Sequence, residues 1–327
     1  MSKNLKSFLF TFLLIMPLVW GINALETEAK SFFFWREIAE NPQILAAQVN
    51  QQNFEQKIRE MLPVRDRSVA DINIEAKAGI SVLVSPDEEK ILWQKNADKR
   101  LAIASLSKLM AGYVVLQNYD MDEFVEISQE AAEQPGKSNF KAGEVFKIKD
   151  LLYPMFIESS NTATFALAEV VGNDGFRELM NLSAQDLGLV DTYFVNSTGL
   201  DFEDPFALVN YSNSHDLVKL AKYLVETKSV LWKILSLPEI DLYTPEGVFH
   251  HKIVSTNQFL LDEPGVSWQE RIIGGKTGFT YEAGECFLLI LKAPKNKGYL
   301  INVVLGTENR FDKMEKLVNW TLKAFKW

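Results

Sequence analysis

Cysteine and histidine are scarce in this chain. Its 327 residues include one cysteine, Cys286, and three histidines. A single thiol excludes any disulfide within the chain and any cysteine-based metal cluster. Three imidazoles leave little material for a histidine-rich metal site. Positive charge is also short, with 34 Lys and Arg against 43 Asp and Glu, a net charge of -9. Lacking a basic tract, the chain is poorly equipped to neutralise phosphates, which argues against nucleic acid as a partner. No internal repeat or low-complexity tract occurs. What remains is 47% hydrophobic and 24% charged. That is globular composition, which rules out whole-chain disorder and collagen-like repeats, and the length suffices for a sizeable core.

Lys3 and Lys6 precede a stretch without charge from Ser7 to Leu25, and the first acidic residue is Glu26. A basic start followed by an apolar run reads as an export signal. Two outcomes stay open. Ile22-Asn23-Ala24 offers a cleavage site, or residues 1–25 stay as a signal anchor, long enough to span a bilayer and followed by the interfacial aromatics Phe32-Phe33-Phe34-Trp35. Both place the rest of the chain outside the cytoplasm, in a periplasm or at a cell surface. Residues 26–75 are polar and helix-prone, with Pro63 as a stop. They read as a spacer, or as an N-terminal helix packed on the domain that follows. That domain is placed at 76–327.

Within it, Ile80–Val84 and Lys90–Lys95 read as a hairpin around Ser85-Pro86-Asp87-Glu88-Glu89. Helical periodicity runs from Ser105 to about Asn118, through Leu151–Val171 with a break near Glu158, and over Phe176–Leu187 and Ser214–Thr227. Glu285–Leu291 and Tyr299–Leu305 are apolar strands, and Asp312–Lys326 is a closing amphipathic helix. Strands at both ends with helices between them suggest one sheet built from both parts of the chain, with a helical insertion.

Three short motifs carry candidate chemistry. Ser105-Leu106-Ser107-Lys108 opens a predicted helix, which sets Lys108 one turn from Ser105 on the same face. A serine hydroxyl needs a base to become a nucleophile, and a lysine whose pKa is lowered by burial can serve. Ser159-Ser160-Asn161 lies between two apolar helical runs. It is either a cap on the helix from Thr162 or a site in which Ser159 relays a proton and Asn161 holds a substrate amide or Lys108. Lys276-Thr277-Gly278 follows Gly274-Gly275 on a predicted strand, where lysine and threonine suit a carboxylate and glycine admits close approach. Each motif alone is weak. Their order, with 54 positions from Ser105 to Ser159 and 117 from Ser159 to Lys276, is that of the penicillin-recognising serine enzymes.

Over about residues 76–327 the chain resembles low-molecular-mass penicillin-binding proteins of the D-alanyl-D-alanine carboxypeptidase family (peptidase family S11), the kind related to penicillin-binding protein 5. Beyond the three motifs, the resemblance rests on Ala102–Met110, Phe140-Lys141-Ala142-Gly143-Glu144, Asp150-Leu151-Leu152, Asn196-Ser197-Thr198-Gly199-Leu200 and Glu282-Ala283-Gly284. It implies an α/β (α+β) fold of the β-lactamase and transpeptidase type, a mainly antiparallel sheet flanked by helices with an inserted helical subdomain. It implies catalysis by Ser105, Lys108 and Ser159, substrate binding by Asn161, Lys276, Thr277, Gly278, Phe279 and Arg310, and an oxyanion hole from the N–H groups of Ser105 and Phe279. The implied substrate is a peptidoglycan stem peptide, with β-lactams as covalent inhibitors and neither metal nor cofactor. Any membrane contact is expected through the N-terminal segment, read from its uncharged run and not from the resemblance.

The sequence departs from the family pattern at Ser160 and Thr162, where Gly and Asp are usual, and at Thr256, which stands about where some members have an arginine. Unlike some members, the chain is not expected to carry a β-rich second domain after the closing helix. D-alanyl-D-alanine endopeptidase activity is an alternative, since it uses the same motifs. A serine β-lactamase is a lesser one, because no Glu-x-x-Leu-Asn string lies between Ser159 and Lys276. A non-catalytic peptidoglycan-binding module would need the three motifs to be intact by accident. Cys286 reads as a small buried hydrophobe in its apolar strand. His250-His251 reads as a loop or an exposed strand end.

Overall fold

The structure, a computed structural model, describes residues 63–86, 88–201, 207–261 and 265–327. The expected signal or anchor at 1–25, and the spacer as far as residue 62, lie outside the described residues. Five strands form the central sheet: β1 (Ala78–Val84), β2 (Glu89–Lys95), β3 (Ile272–Thr280), β4 (Gly284–Lys292) and β5 (Tyr299–Thr307). They run antiparallel in the order β3-β4-β5-β1-β2. The early and late parts of the chain therefore meet at β5 and β1, where Ile301 pairs with Val82 and Val303 with Ile80.

All seven residues of β1 are buried, because both sheet faces are covered. Strand alternation sorts the side chains between two cores. Ile80, Val82, Leu288, Ile290, Ile301 and Val303 face one of them, and Leu83, Phe287, Leu289, Leu291, Leu300 and Val304 the other. Between β2 and β3 the described helices are α1 (Lys108–Asn118), α2 (Gln129–Ala132), α3 (Ile148–Phe156), α4 (Asn161–Glu169), α5 (Asn173–Asp186), α6 (Ser214–Thr227) and α7 (Ser229–Leu235). They build the first core around Leu109, Met110, Phe156, Leu167, Leu217 and Ala221. Helix α8 (Arg310–Ala324) closes the second with Met314, Leu317 and Val318. This is the expected antiparallel sheet with an inserted helical subdomain.

Several boundaries differ from expectation. The packed domain starts before residue 76. Val64–Arg65 pairs with Phe325–Lys326, and Ile74 is fully buried in the second core. Residues 63–75 are thus part of the fold, because their apolar side chains have a place in a core and their backbone a strand to pair with. The helix expected from Ser105 begins with a 3-10 turn, Ala104–Ser107, and becomes α-helical at Lys108. The closing helix ends at Ala324, and Phe325–Lys326 turns into the strand just described. The helix α7 and a hairpin of Glu239–Tyr243 with Phe249–Val254 were not anticipated. That hairpin corrects the placement of His250 and His251, which lie within a strand and not at an exposed end. Among the described residues, no helix is long and apolar enough to cross a membrane.

Candidate active site

Three segments from distant parts of the chain converge at the junction of sheet and helical insert. Ser105 sits in the 3-10 turn ahead of α1, after Ala104, whose φ of 48° is unusual for a residue with a side chain. Two glycines press on this turn. A Cβ on Gly278 of β3 would meet Ile103 O and Ser105 N at 3.0 Å, and one on Gly199 would meet Ala104 O at 2.1 Å. The approach at Gly199 admits only glycine, and at Gly278 an added Cβ would make the turn give by a few tenths of an ångström. Because β3 is an edge strand, its outer backbone edge has no neighbouring strand on the side next to Ser105.

Lys108 is fully buried. Its Nζ lies 3.0 Å from Ser105 Oγ, 2.7 Å from Asn161 Oδ1 and 2.7 Å from Thr198 O. Burial lowers its pKa to about 7. Two of the three partners can only accept, whereas Ser105 can also donate. A neutral amine is therefore fully satisfied here, with two N–H groups for the acceptors and its lone pair facing the Ser105 hydroxyl.

The second motif divides its labour. Ser160 caps α4, its Oγ accepting from Ala163 N at 3.2 Å, so the capping alternative applies to that residue. Ser159 has φ 62°, and its Oγ accepts from Lys276 Nζ at 2.8 Å. Such a conformation costs on the order of 1–3 kcal/mol and persists only when its surroundings impose it. Asn161 receives Lys108 on Oδ1 and donates Nδ2 to Pro135 O at 2.6 Å. The departure at Thr162 is structural, its Oγ1 donating to Ser138 Oγ at 2.9 Å.

Lys276 is also fully buried, and its Nζ donates to Thr277 O at 2.8 Å as well as to Ser159. Burial first, then the positive charges of Lys108 and Arg310, push its pKa well below the ordinary lysine value. Thr277 Oγ1 donates to Thr256 Oγ1 at 2.7 Å, so the residue standing in place of the family's arginine faces the third motif directly. Arg310 reaches the same strand from the start of α8. Its Nη1 donates to Gly278 O at 2.6 Å, and Nε is 3.3 Å from Glu285 Oε2, within ion-pair reach but without hydrogen-bond alignment. Arg310, expected to bind a substrate carboxylate, also makes contacts within the protein. Its fork is already partly engaged in bracing β3. Phe279 is half exposed at the rim. Cys286 is buried, as expected.

The motifs do not contain everything that builds this arrangement. Asn210 donates Nδ2 to Ser107 Oγ and to Asn196 O, both at 2.9 Å, while its Oδ1 accepts from Val195 N at 2.7 Å. Asn196 Oδ1 in turn accepts from Gly199 N at 2.7 Å. This knot presents the Thr198 carbonyl to Lys108. Asn210 and the carbonyls of Pro135 and Thr198 are not singled out by the sequence, and Thr256 stands out there only as a departure from the family pattern. The Asn-x-Thr-Gly-Leu string was the one signal that pointed toward them. Among the described residues, no three His, Cys, Asp or Glu side chains form a set that could hold a metal ion.

Residues 66–309 match the family described as D-alanyl-D-alanine carboxypeptidase, peptidase S11. The D-alanyl-D-alanine carboxypeptidase DacF of Bacillus subtilis is 31% identical over 79% of this chain and 65% of its own. A D-alanyl-D-alanine endopeptidase of Pseudomonas aeruginosa is 29% identical over 75% of this chain and 77% of its own. The chain thus spans about 65% of the length of the first of these relatives. Penicillin-binding protein D2 of Listeria monocytogenes, solved in a cefotaxime-bound form, superposes with a TM-score of 0.65 at 28% identity, over 77% of this chain and 99% of its own. Its fold and its three motifs identify the chain as a member of the D-alanyl-D-alanine carboxypeptidase family, the S11 serine DD-peptidases.

Proposed function

We propose that the protein is a serine D-alanyl-D-alanine carboxypeptidase that trims peptidoglycan stem peptides through an acyl-enzyme on Ser105. The observation that carries this reading is the buried Lys108 amine, 3.0 Å from Ser105 Oγ and otherwise held by two acceptors. Lys108 takes the Ser105 proton as Oγ attacks the carbonyl carbon of the penultimate D-alanine. The N–H groups of Ser105 and Phe279 receive the oxyanion. As the C–N bond breaks, the departing amine of the terminal D-alanine receives, by way of Ser159, which Lys276 holds, the proton that Lys108 took, and Lys108 returns to the neutral amine. Water then hydrolyses the ester, with Lys108 again as base. The edge of β3 supports binding of the extended peptide as an added strand. The Arg310 guanidinium, with the Lys276 amine and the Thr277 hydroxyl, favours a substrate ending in a carboxylate. The lactam carbonyl of a penicillin takes the place of the scissile amide.

Endopeptidase action on cross-linked peptides is the second reading. It is favoured by similarity, at 29% identity, to a protein of that name. The substrate and the uncharged Ser7–Leu25 stretch together support a location outside the cytoplasm, reached by secretion or held by the N-terminal segment.

Intact-protein mass after penicillin treatment tests the proposal. A single adduct on the peptide carrying Ser105, absent in Ser105→Ala, is expected. An adduct on Ser107 or Ser159 defeats the assignment.

A further inference from the structure

A chain of four titratable side chains lies behind the second motif. The hairpin strand Phe249–Val254 carries a bulge: Tyr243 pairs with Phe249 and Leu242 with His251, which leaves His250 as the extra residue. A bulge re-aims side chains that would otherwise alternate. Here it allows consecutive histidines to face one another, with Nδ1 to Nδ1 at 2.5 Å. Each ring then meets a carboxylate. His250 Nε2 is 3.2 Å from Glu144 Oε2, and His251 Nε2 is 3.4 Å from Glu158 Oε1. The rings are about nine-tenths buried, at 11% and 10% side-chain exposure. His250 stacks on Phe140 with centroids 5.3 Å apart. Making every contact a hydrogen bond takes three ring protons, one on each Nε2 and one between the Nδ1 atoms.

Glu158 immediately precedes Ser159, the residue held at φ 62° with its hydroxyl on Lys276. From the other side, Thr256 N donates to Ile157 O at 2.9 Å. The loop that aims Ser159 is thus tied to the hairpin through backbone and side chain. We propose that Glu158 is a positioning residue for the reaction, held by His251, His250 and Glu144, which fixes Ser159 in its strained conformation. This inference rests on the function proposed above. Its effect falls on proton transfer, and substrate capture at β3 is left alone.

The test follows penicillin acylation as a function of concentration, which separates the acylation rate constant from the dissociation constant that precedes it. In Glu158→Ala the rate constant should fall about tenfold or more while the dissociation constant stays within about twofold, and Glu158→Gln, which keeps an acceptor for His251, should recover most of the rate. His251→Ala, which cuts the same contact from the hairpin, should reproduce the loss and serves if Glu158→Ala fails to fold. A wild-type rate in Glu158→Ala overturns the inference, and so does a parallel loss in both constants that Glu158→Gln does not rescue. A wild-type protein that takes up no penicillin would overturn the underlying function instead, and the inference with it.

Discussion

Burial is what equips Lys108 to act as the proposed base. Its ammonium form has no counterion within hydrogen-bonding distance, so burial favours the neutral amine and brings the pKa to about 7. The neutral form gains population as pH rises, so the acylation rate should climb through about pH 7 to a plateau. A rate flat between about pH 5 and 9 would contradict this assignment of the base. Stability should move in the same direction. The unfolded lysine keeps its proton up to about 10.5, so the native state binds fewer protons between about 7 and 10.5, and folding strengthens with pH across that window. Denaturant unfolding of Lys108→Met against wild type should show that slope reduced. Arg310 is tested by substrate choice. Arg310→Ala should lower kcat/KM for a peptide ending in D-alanyl-D-alanine by about 1.5–3 kcal/mol. A peptide with an amidated terminus should lose much less. Equal losses would assign Arg310 wholly to bracing β3 through Gly278. At this scale the candidate side chains Ser105, Lys108, Ser159, Asn161 and Lys276 are legible through their local motifs, and the structure brings them together. Asn210 and the Thr198 carbonyl are not legible there, since the need for them arises only when the loop around Asn196 closes on the nucleophile turn.

Among the elements, long apolar strands and amphipathic helices were the readable ones. Helix α6 has the expected bounds, Ser214–Thr227, and β4 and β5 extend the expected strands by one or two residues at their ends. The break near Glu158 is real, and its cause is the cap at Ser160 together with the turned backbone at Ser159. The hairpin of Glu239–Tyr243 and Phe249–Val254 escaped notice because its bulge breaks the period of two and its exposed face is itself apolar at Tyr243 and Phe249. The loop at Gly199 gives an element-scale test. At φ 82° and with Ala104 O 2.1 Å from any added Cβ, Gly199→Ala must displace the nucleophile turn. We expect a loss of stability of roughly 2–4 kcal/mol, and acylation reduced further than stability alone explains. Thermal melting and labelled-penicillin uptake measure the two effects. An unchanged Tm with full labelling would show that the turn is looser than its contacts imply.

At the scale of the whole molecule, the sheet joins early and late chain, and that topology was readable from the strands at each end. The start of the domain was not, because residues 63–75 are polar in pattern and find their partners only in three dimensions, Ile74 in the second core and Val64–Arg65 on the C-terminal strand. A chain shortened to begin at Lys77 should lose on the order of 3 kcal/mol, which at this size is a fall in Tm of roughly 6–12 °C. An unchanged melting curve would return these residues to the role of a spacer. In the proposed function Ser105, with Lys108, cleaves the terminal D-alanyl bond. Incubation with a stem pentapeptide and, separately, with a cross-linked dimeric muropeptide, read by mass, tests it most directly. A tetrapeptide and free D-alanine are expected from the first, an intact dimer in the second, and no product from either with Ser105→Ala. Cleavage of the dimer with the pentapeptide untouched would make the enzyme an endopeptidase, and product formation by Ser105→Ala would contradict the nucleophile itself.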